Sequence, residues 1–201
     1  MSKIKVMDEL LANKIAAGEV IEKLASIVKE LVENSIDAKS TNIKVNLINS
    51  GMDLIEVIDD GEGMDKIDAK ECFLRHATSK LYKEDDLYFI DTLGFRGEAL
   101  ASIASVSEIE LNTCNEEEST YVHIKGGKIL EVKPTIERKG TSIKVSNVFY
   151  NTPARLKYLK SENSELASII NFIEKLSLSE INISFCLTNN NKVIVKTSGS
   201  G

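Results

Sequence analysis

The segment 26–38 constrains the fold of this chain more than any other. Its apolar residues recur at helical spacing, which predicts a helix that buries one broad face against a core. Glu30, Asn34 and Asp37 fall on a second, polar stripe of the same helix. A carboxylate can act as a general base toward water, and an amide oxygen is a ligand that magnesium accepts beside phosphates. For such a stripe taken alone, a solvated helix face is the plain alternative.

The composition is typical of a soluble globular protein with one core. The chain has 201 residues, of which 42% are hydrophobic and 28% charged, and no apolar run is long enough to span a bilayer. The first residues lack the apolar core of a secretion signal, so we expect a cytoplasmic protein without membrane contact. Cys72, Cys114 and Cys186 lack the spacing of a zinc site or a disulfide framework. The net charge of −6 argues against a dedicated nucleic-acid-binding domain but leaves room for a local basic patch.

A second candidate site follows the predicted strand 54–58, which should form a hairpin with 43–47. The strand leads into Asp-Asp-Gly-Glu-Gly-Met, residues 59–64, where two glycines permit a flat ligand to approach the backbone. At the strand end, Asp59 could accept a hydrogen bond from an exocyclic amine such as that of adenine. Ordinary turn chemistry is the alternative for an Asp-Gly sequence.

A third candidate site begins with residues 75–93, which lack clean periodicity and are polar in the middle. A loop of this length predicts a lid or a binding loop. It is followed by two glycines and a predicted helix at 99–105, and backbone N–H groups at such a helix start suit a phosphate. Arg96 would add a bidentate donor. Glycines that serve only helix–sheet packing are the alternative.

Strands dominate after residue 108. The pattern predicts an antiparallel meander at 109–113, 121–125, 129–134 and 141–145. The segment Phe-Tyr-Asn-Thr-Pro-Ala-Arg at 149–155 follows, in which Thr152 is a predicted N-cap and Pro153 the first helical residue. An amphipathic helix at 162–178 and a hairpin of 181–187 with 193–196 complete the predicted elements.

Taken in order, these motifs resemble those of the GHKL ATPases, the superfamily of gyrase B-type topoisomerases, heat-shock-90-type chaperones, sensor histidine kinases and MutL. There is no Walker-type phosphate loop. Within the superfamily, nearly the whole chain resembles the MutL family of DNA mismatch repair proteins. The segments that carry this resemblance are LANKIAAGEV at 11–20, KELVENS at 29–35, RHATSK at 75–80, GFRGEAL at 94–100 and FYNTPAR at 149–155.

The resemblance implies an α+β fold, a two-layer sandwich with helices on one face of a mixed, mostly antiparallel sheet, formed by residues 1–201. It implies ATP and Mg²⁺ as cofactors, with Glu30 activating the attacking water and Asn34 binding the metal. Asp59 would hold the adenine amine, supported by Thr141. The further residues that it places at ATP are Asp37, Gly63, Met64, Thr78, Ser79, Lys80, Gly94, Phe95, Arg96, Gly97, Glu98, Ala99 and Leu100. Positioning, charge neutralisation and an oriented water are what phosphoryl transfer requires.

The function implied is ATP binding and slow hydrolysis that gate mismatch repair in a bacterial cell through lid closure and dimerisation. A nucleotide-operated binding module with negligible turnover is the alternative. The implied partners are a second copy of the protein, the mismatch-recognition protein MutS, a downstream nuclease or helicase, and DNA through a weak, salt-dependent contact. The family's second domain, which supplies a lysine to the γ-phosphate, and its C-terminal dimerisation domain are expected beyond residue 201.

Two residues depart from the family pattern. Leu24 stands where the family usually has proline, which should loosen the helix start. Asp60 replaces the usual asparagine and should add negative charge near the pocket.

Overall fold

The computed structural model describes residues 21–74, 77, 98–136 and 138–200. The strands in these residues are β1 Asn42–Ile48, β2 Leu54–Asp59, β3 Glu108–Cys114, β4 Ser119–Lys125, β5 Lys128–Pro134, β6 Gly140–Ser146, β7 Ser184–Asn189 and β8 Lys192–Lys196. The helices are α1 Leu24–Asp37, α2 Asp68–Glu71, α3 Ala99–Val106, α4 Pro153–Leu156 and α5 Glu162–Ser179. None of these helices is both long and apolar enough to cross a membrane.

The strands form one mixed sheet in the order β5-β4-β3-β6-β2-β1-β7-β8. Every neighbouring pair is antiparallel except β1 and β7, which are parallel. The predicted meander is correct for β3, β4 and β5 but wrong for β6, which returns to pair with both β3 and β2. The physical reason is burial, because β6 carries buried residues at alternate positions whereas β5 is exposed along most of its length. The exposed strand therefore lies at the sheet edge.

Helices cover one face of this sheet. Along β1 the residues Ile43, Val45 and Leu47 are buried, and they alternate with more exposed residues on the opposite face. The apolar face of α1 packs on this buried layer, and Leu31, for example, is 1% exposed. Burying one such side chain contributes about 1.5–3 kcal/mol. The predicted fold class is confirmed.

A buried carboxylate holds the N-terminus of α1. Glu165 of α5 is 1% exposed and accepts the backbone N–H of Leu24 at 3.0 Å and that of Lys160 at 3.3 Å. The N-cap residue Lys23 provides no side-chain cap, so Glu165 supplies it from a distant element. A proline at position 24 could not donate this bond. Leu24 thus gives the helix start an anchor that the usual proline lacks.

Candidate active site

The centre of the candidate site is Asp59, the last residue of β2. Its Oδ2 accepts a hydrogen bond from the Ser35 hydroxyl of α1 at 2.8 Å. Its Oδ1 accepts the backbone N–H of Gly61 at 2.9 Å and that of Thr141 at 3.2 Å. Asp59 and Thr141 are register partners across β2 and β6. These bonds fix the carboxylate where α1, β6 and the loop after β2 meet.

Several hydrogen-bond donors surround the Asp59 carboxylate. Three donors hold it at 2.8–3.2 Å, and the buried Ser40 hydroxyl, which has no other partner among the described residues, is close enough to interact with it as a fourth. Burial raises the pKa of this carboxyl above its ordinary 3.8, although the hydrogen bonds from Gly61, Ser35, Thr141 and Ser40 oppose the rise. A half-buried carboxylate at a strand end, with only Ser35 within hydrogen-bond distance of Oδ2, suits the amine of a flat base.

Two threonines connect Asp59 to the loop that follows it. The hydroxyls of Thr113 on β3 and Thr141 on β6 lie 3.0 Å apart, and the Thr113 hydroxyl accepts the backbone N–H of Met64 at 2.9 Å. The Thr113 hydroxyl also donates to the Gly140 carbonyl oxygen at 3.4 Å, and between the two threonines either hydroxyl can be the donor. Sequence reasoning missed Thr113. Its inward position on β3 follows from strand alternation, but its contact with Thr141 depends on strand pairing that the sequence pattern did not show.

Two glycines allow backbones to approach each other beside Asp59. Gly63 has φ +70°, and a Cβ there would collide with the carbonyl group of Cys114. Gly140 has φ +118°, and a Cβ there would collide with the carbonyl oxygen of Asp59. Only glycine combines these left-handed conformations with so little space. Gly63 therefore brings the loop 59–64 against the end of β3, and its place in a base pocket stays a prediction.

The polar stripe of α1 lies on the helix as predicted. Glu30, Asn34 and Asp37 are each half-buried, in contrast to the buried apolar face. Ser35 follows Asn34 directly, and its hydrogen bond to Asp59 holds the helix against the end of β2. Glu30, the candidate base, and Asn34, the candidate metal ligand, thus lie on the same helix as Ser35, which binds the candidate adenine acceptor Asp59. Sequence reasoning did not predict this contact of Ser35.

Asp60 ties the loop to the start of β1. Its carboxylate accepts hydrogen bonds from the backbone and side chain of both Thr41 and Asn42, at 2.7–2.8 Å. Burial raises the pKa of Asp60, but the bonds from Asn42 and Thr41 outweigh it and lower the pKa to about 2. The negative charge that Asp60 adds relative to the asparagine of the family pattern is therefore compensated by four hydrogen-bond donors.

The predicted phosphate segment is only partly described. Glu98 precedes α3, Ala99 and Leu100 begin it, and all three are half-buried. Outside the described residues lie Thr78, Ser79, Lys80, Gly94, Phe95, Arg96 and Gly97, with the predicted lid except residue 77.

Magnesium is the metal that the resemblance implies. In the described part of the chain, no group of three or more His, Cys, Asp or Glu side chains could hold a metal ion. A magnesium ion beside ATP takes most of its ligands from phosphates and water and needs only one or two from protein. A single half-buried amide, that of Asn34, fits this requirement.

The chain was compared with known protein families and with their members. The family described as histidine kinase-, DNA gyrase B-, and HSP90-like ATPase matches residues 21–150. The DNA mismatch repair protein MutL of Staphylococcus carnosus is 50% identical over 202 residues, and that of Lactococcus lactis is 55% identical over 203 residues. Each alignment covers 100% of this chain and 31% of the relative.

Solved structures agree. The Aquifex aeolicus MutL ATPase domain complexed with ADP is 30% identical, with a TM-score of 0.73 over 90% of this chain and 66% of that chain. The N-terminal domain of a DNA repair protein is 28% identical, with a TM-score of 0.78 over 93% of this chain and 56% of that one.

Helices on one face of a mixed sheet, with Asp59 at a central strand end, define the architecture of a GHKL-type ATPase domain. The chain belongs to the histidine kinase-, DNA gyrase B- and HSP90-like ATPase family and, within it, to the MutL mismatch repair proteins. It spans 31% of the length of the curated relatives named above.

Proposed function

We propose that this chain binds ATP with magnesium and hydrolyses the nucleotide slowly, as the ATP-driven part of a mismatch repair protein. The observation that supports this most is the half-buried Asp59 carboxylate, which Ser35 of α1 and Thr141 hold at the end of β2, where it can accept the amine of a base. The helix that anchors it carries Glu30 and Asn34. Base recognition and phosphate chemistry are thereby built on one rigid unit.

In this proposal each residue has a separate task. Asp59 accepts the adenine amine, and the Thr141 hydroxyl donates to the base. Glu30 orients and deprotonates the attacking water as a general base. Asn34 contributes an amide oxygen to magnesium, which when bound neutralises phosphate charge. The roles of Asp37, of the lid residues and of the glycine-rich segment before α3 rest on their sequence alone.

The wider part of the proposal concerns the intact protein. ATP binding closes the segment 75–93, which except for residue 77 lies outside the described residues, and pairs two copies of the protein. This cycle coordinates mismatch recognition by a MutS-type protein with a downstream nuclease or helicase, with a weak, salt-dependent DNA contact. This part of the proposal is supported by the names of the MutL relatives, and this chain spans 31% of their length.

A nucleotide titration combined with phosphate release tests the core of the proposal. ATP affinity is measured with and without magnesium, and steady-state phosphate release is followed for the wild type, Glu30→Ala and Glu174→Ala. Glu174 is exposed on α5 and serves as the matched control. Glu30→Ala should keep ATP affinity within a few-fold and slow release by about 10²-fold or more, whereas Glu174→Ala should change neither.

Other outcomes are equally decisive. Equal release by the wild type and Glu30→Ala would remove Glu30 from the role of base. Tight binding with no release above background would favour the nucleotide-operated binding module. Absence of ATP binding in the wild type would refute the proposal as a whole.

A further inference from the structure

The C-terminus of α3 is capped by three separate parts of the chain. A helix leaves its last four carbonyl groups without partners inside the helix. In α3 each of these carbonyl oxygens accepts a hydrogen bond: Ile103 from the Ser107 hydroxyl at 2.6 Å, Ala104 from the Gly127 N–H at 2.8 Å, Ser105 from the Asn151 side-chain amide at 2.9 Å and Val106 from the Phe149 N–H at 2.7 Å. Complete capping of this kind fixes the position of the helix end.

Two of the four donors come from the loop 147–152, which follows β6. This loop includes left-handed backbone at Asn147, with φ 53°, and at Phe149, with φ 63°. A bulky residue with a positive φ is a genuine outlier and is kept only when its surroundings hold it there. Here the Phe149 side chain is 2% exposed in the core, and its N–H reaches the Val106 carbonyl. The strained loop is thus shaped to meet α3.

Asn151 contributes to this cap through its amide donor. Its Nδ2 donates to the Ser105 carbonyl at 2.9 Å, while its Oδ1 is buried and has no hydrogen-bond partner among the described residues. An unsatisfied buried oxygen is unfavourable. The side-chain hydrogen bond that Asn151 makes in the described part of the chain is the one to α3.

We propose that Asn151 is a positioning residue for the phosphate end of bound ATP. The helix α3 has eight residues, about 12 Å of length, and its residues 101–106 are buried, so it moves as a rigid body or not at all. Its first turn begins with Ala99 and Leu100, which the proposed function places at ATP, and caps at the other end set its position along its axis. A displacement of about 1 Å can greatly weaken catalysis. This inference rests on the proposed function and adds to it a residue at the far end of the helix.

Comparison of ATP with adenosine tests the inference, because adenosine uses the Asp59 end of the site but has no phosphate. Both affinities are measured for the wild type, for Asn151→Asp, which keeps the shape and loses the donor, and for Asn151→Ser, which keeps a shorter donor. Asn46→Ser is the matched control, since the Asn46 amide donates to Glu56 at 2.7 Å on the sheet face away from the helices. Thermal unfolding of each variant is recorded alongside.

Asn151→Asp should leave adenosine affinity nearly unchanged and lower ATP affinity by up to about tenfold, the full scale of one lost hydrogen bond, because only the part of that energy that differs between the free and the ATP-bound protein enters the affinity. Asn151→Ser should lower ATP affinity less, and Asn46→Ser should change neither ATP affinity nor adenosine affinity. An unchanged ratio of ATP to adenosine affinity in both Asn151 variants, including equal loss of both ligands, would overturn the inference. If Asn151→Asp does not fold, the ratio for Asn151→Ser decides. A wild type that binds neither ligand refutes the proposed function itself, and the inference with it.

Discussion

Asp59 meets two conflicting demands. In its proposed role as the acceptor for a base it works best ionised and shielded from water, yet burial raises its pKa and so disfavours the ionised form. Donors from Ser35, Gly61 and Thr141 offset part of this cost. The desolvation of the ionised Asp59 that is not offset should lower the stability of the fold, as is common at functional sites.

Asp59→Asn should therefore change affinity and stability in opposite directions. The amide puts a donor where the base amine needs an acceptor, so adenosine and ATP affinity should both fall, at a cost of about 1–3 kcal/mol. The unliganded variant should unfold at a higher temperature, because a neutral side chain avoids the desolvation that raises the pKa of Asp59. Titration and thermal unfolding measure the two effects, with the exposed Asp53→Asn as control. Unchanged affinity would mean that the base binds elsewhere.

The raised pKa of Asp59 also predicts a pH dependence. As pH falls through the folded-state pKa, the carboxyl gains a proton and loses its acceptor character, so adenosine affinity should decrease. Stability of the unliganded protein changes the other way at Asp59, because the folded state binds this proton more readily than the unfolded state, whose pKa is near 3.8. The Asp59 contribution to stability should thus rise as pH falls through the raised pKa. Adenosine titrations from neutral to acidic pH, for the wild type and for Asp59→Asn, measure the pH dependence of the affinity. The variant should lack the decrease in affinity that protonation of Asp59 causes. Identical pH profiles of the two proteins would contradict the assignment of Asp59 as the acceptor.

The sequence identified residues whose chemistry is local. Asp59 at a strand end and the Glu30–Asn34 spacing can be seen in a short window of the chain. The contacts of Ser35 and Thr113 could not be predicted, because each depends on a partner more than twenty residues away, Asp59 for Ser35 and Thr141 for Thr113. Small hydroxyl residues at inward positions resemble ordinary core residues until strand pairing is known.

At the scale of elements, periodicity predicted α1 and the hairpin of β1 and β2 to within two residues at each end. The insertion of β6 between β3 and β2 was not predictable from a local pattern, since strand order depends on pairing between distant segments. A local pattern could not predict the cap of α1 by Glu165 either, because Glu165 and Leu24 are 141 residues apart in the chain. A glutamate at an inward position of an amphipathic helix is the sequence signal that could have indicated it.

Glu165→Gln should destabilise the fold through α1. The substitution keeps the shape but turns one acceptor oxygen into a donor that faces a backbone N–H, and loss of a helix cap costs about 1–2 kcal/mol. Denaturant unfolding measures the change, with Glu162→Gln as control, since Glu162 is exposed in the first turn of the same helix. Leu24→Pro removes the N–H that Glu165 accepts, so the cost of Glu165→Gln should be smaller in that background. Equal costs in both backgrounds would show that the Leu24 contact is not what Glu165 stabilises.

At the scale of the whole molecule, the site links distant segments. Asp59 joins α1 to β6, Thr113 joins β3 to the loop after β2, and the caps of α3 join it to the loop after β6. A ligand that completes the Asp59 network should therefore stabilise the whole fold. Such coupling can be measured without knowledge of turnover.

Binding of ATP with magnesium should raise the unfolding temperature by mass action. At a ligand concentration of 100 times Kd the gain is about 2.7 kcal/mol, which for a domain of this size corresponds to roughly 5–10 °C. Glu30→Ala should keep the full shift, because a general base is not needed for binding, whereas Asp59→Asn should lose most of it. Asn34→Ala should keep the shift produced by ATP alone and lose the increment added by magnesium, while Asn171→Ala, an exposed amide on α5, should behave as the wild type. A differential scan over a nucleotide series, with and without magnesium, measures all five proteins. A magnesium increment that survives in Asn34→Ala would place the metal on other ligands.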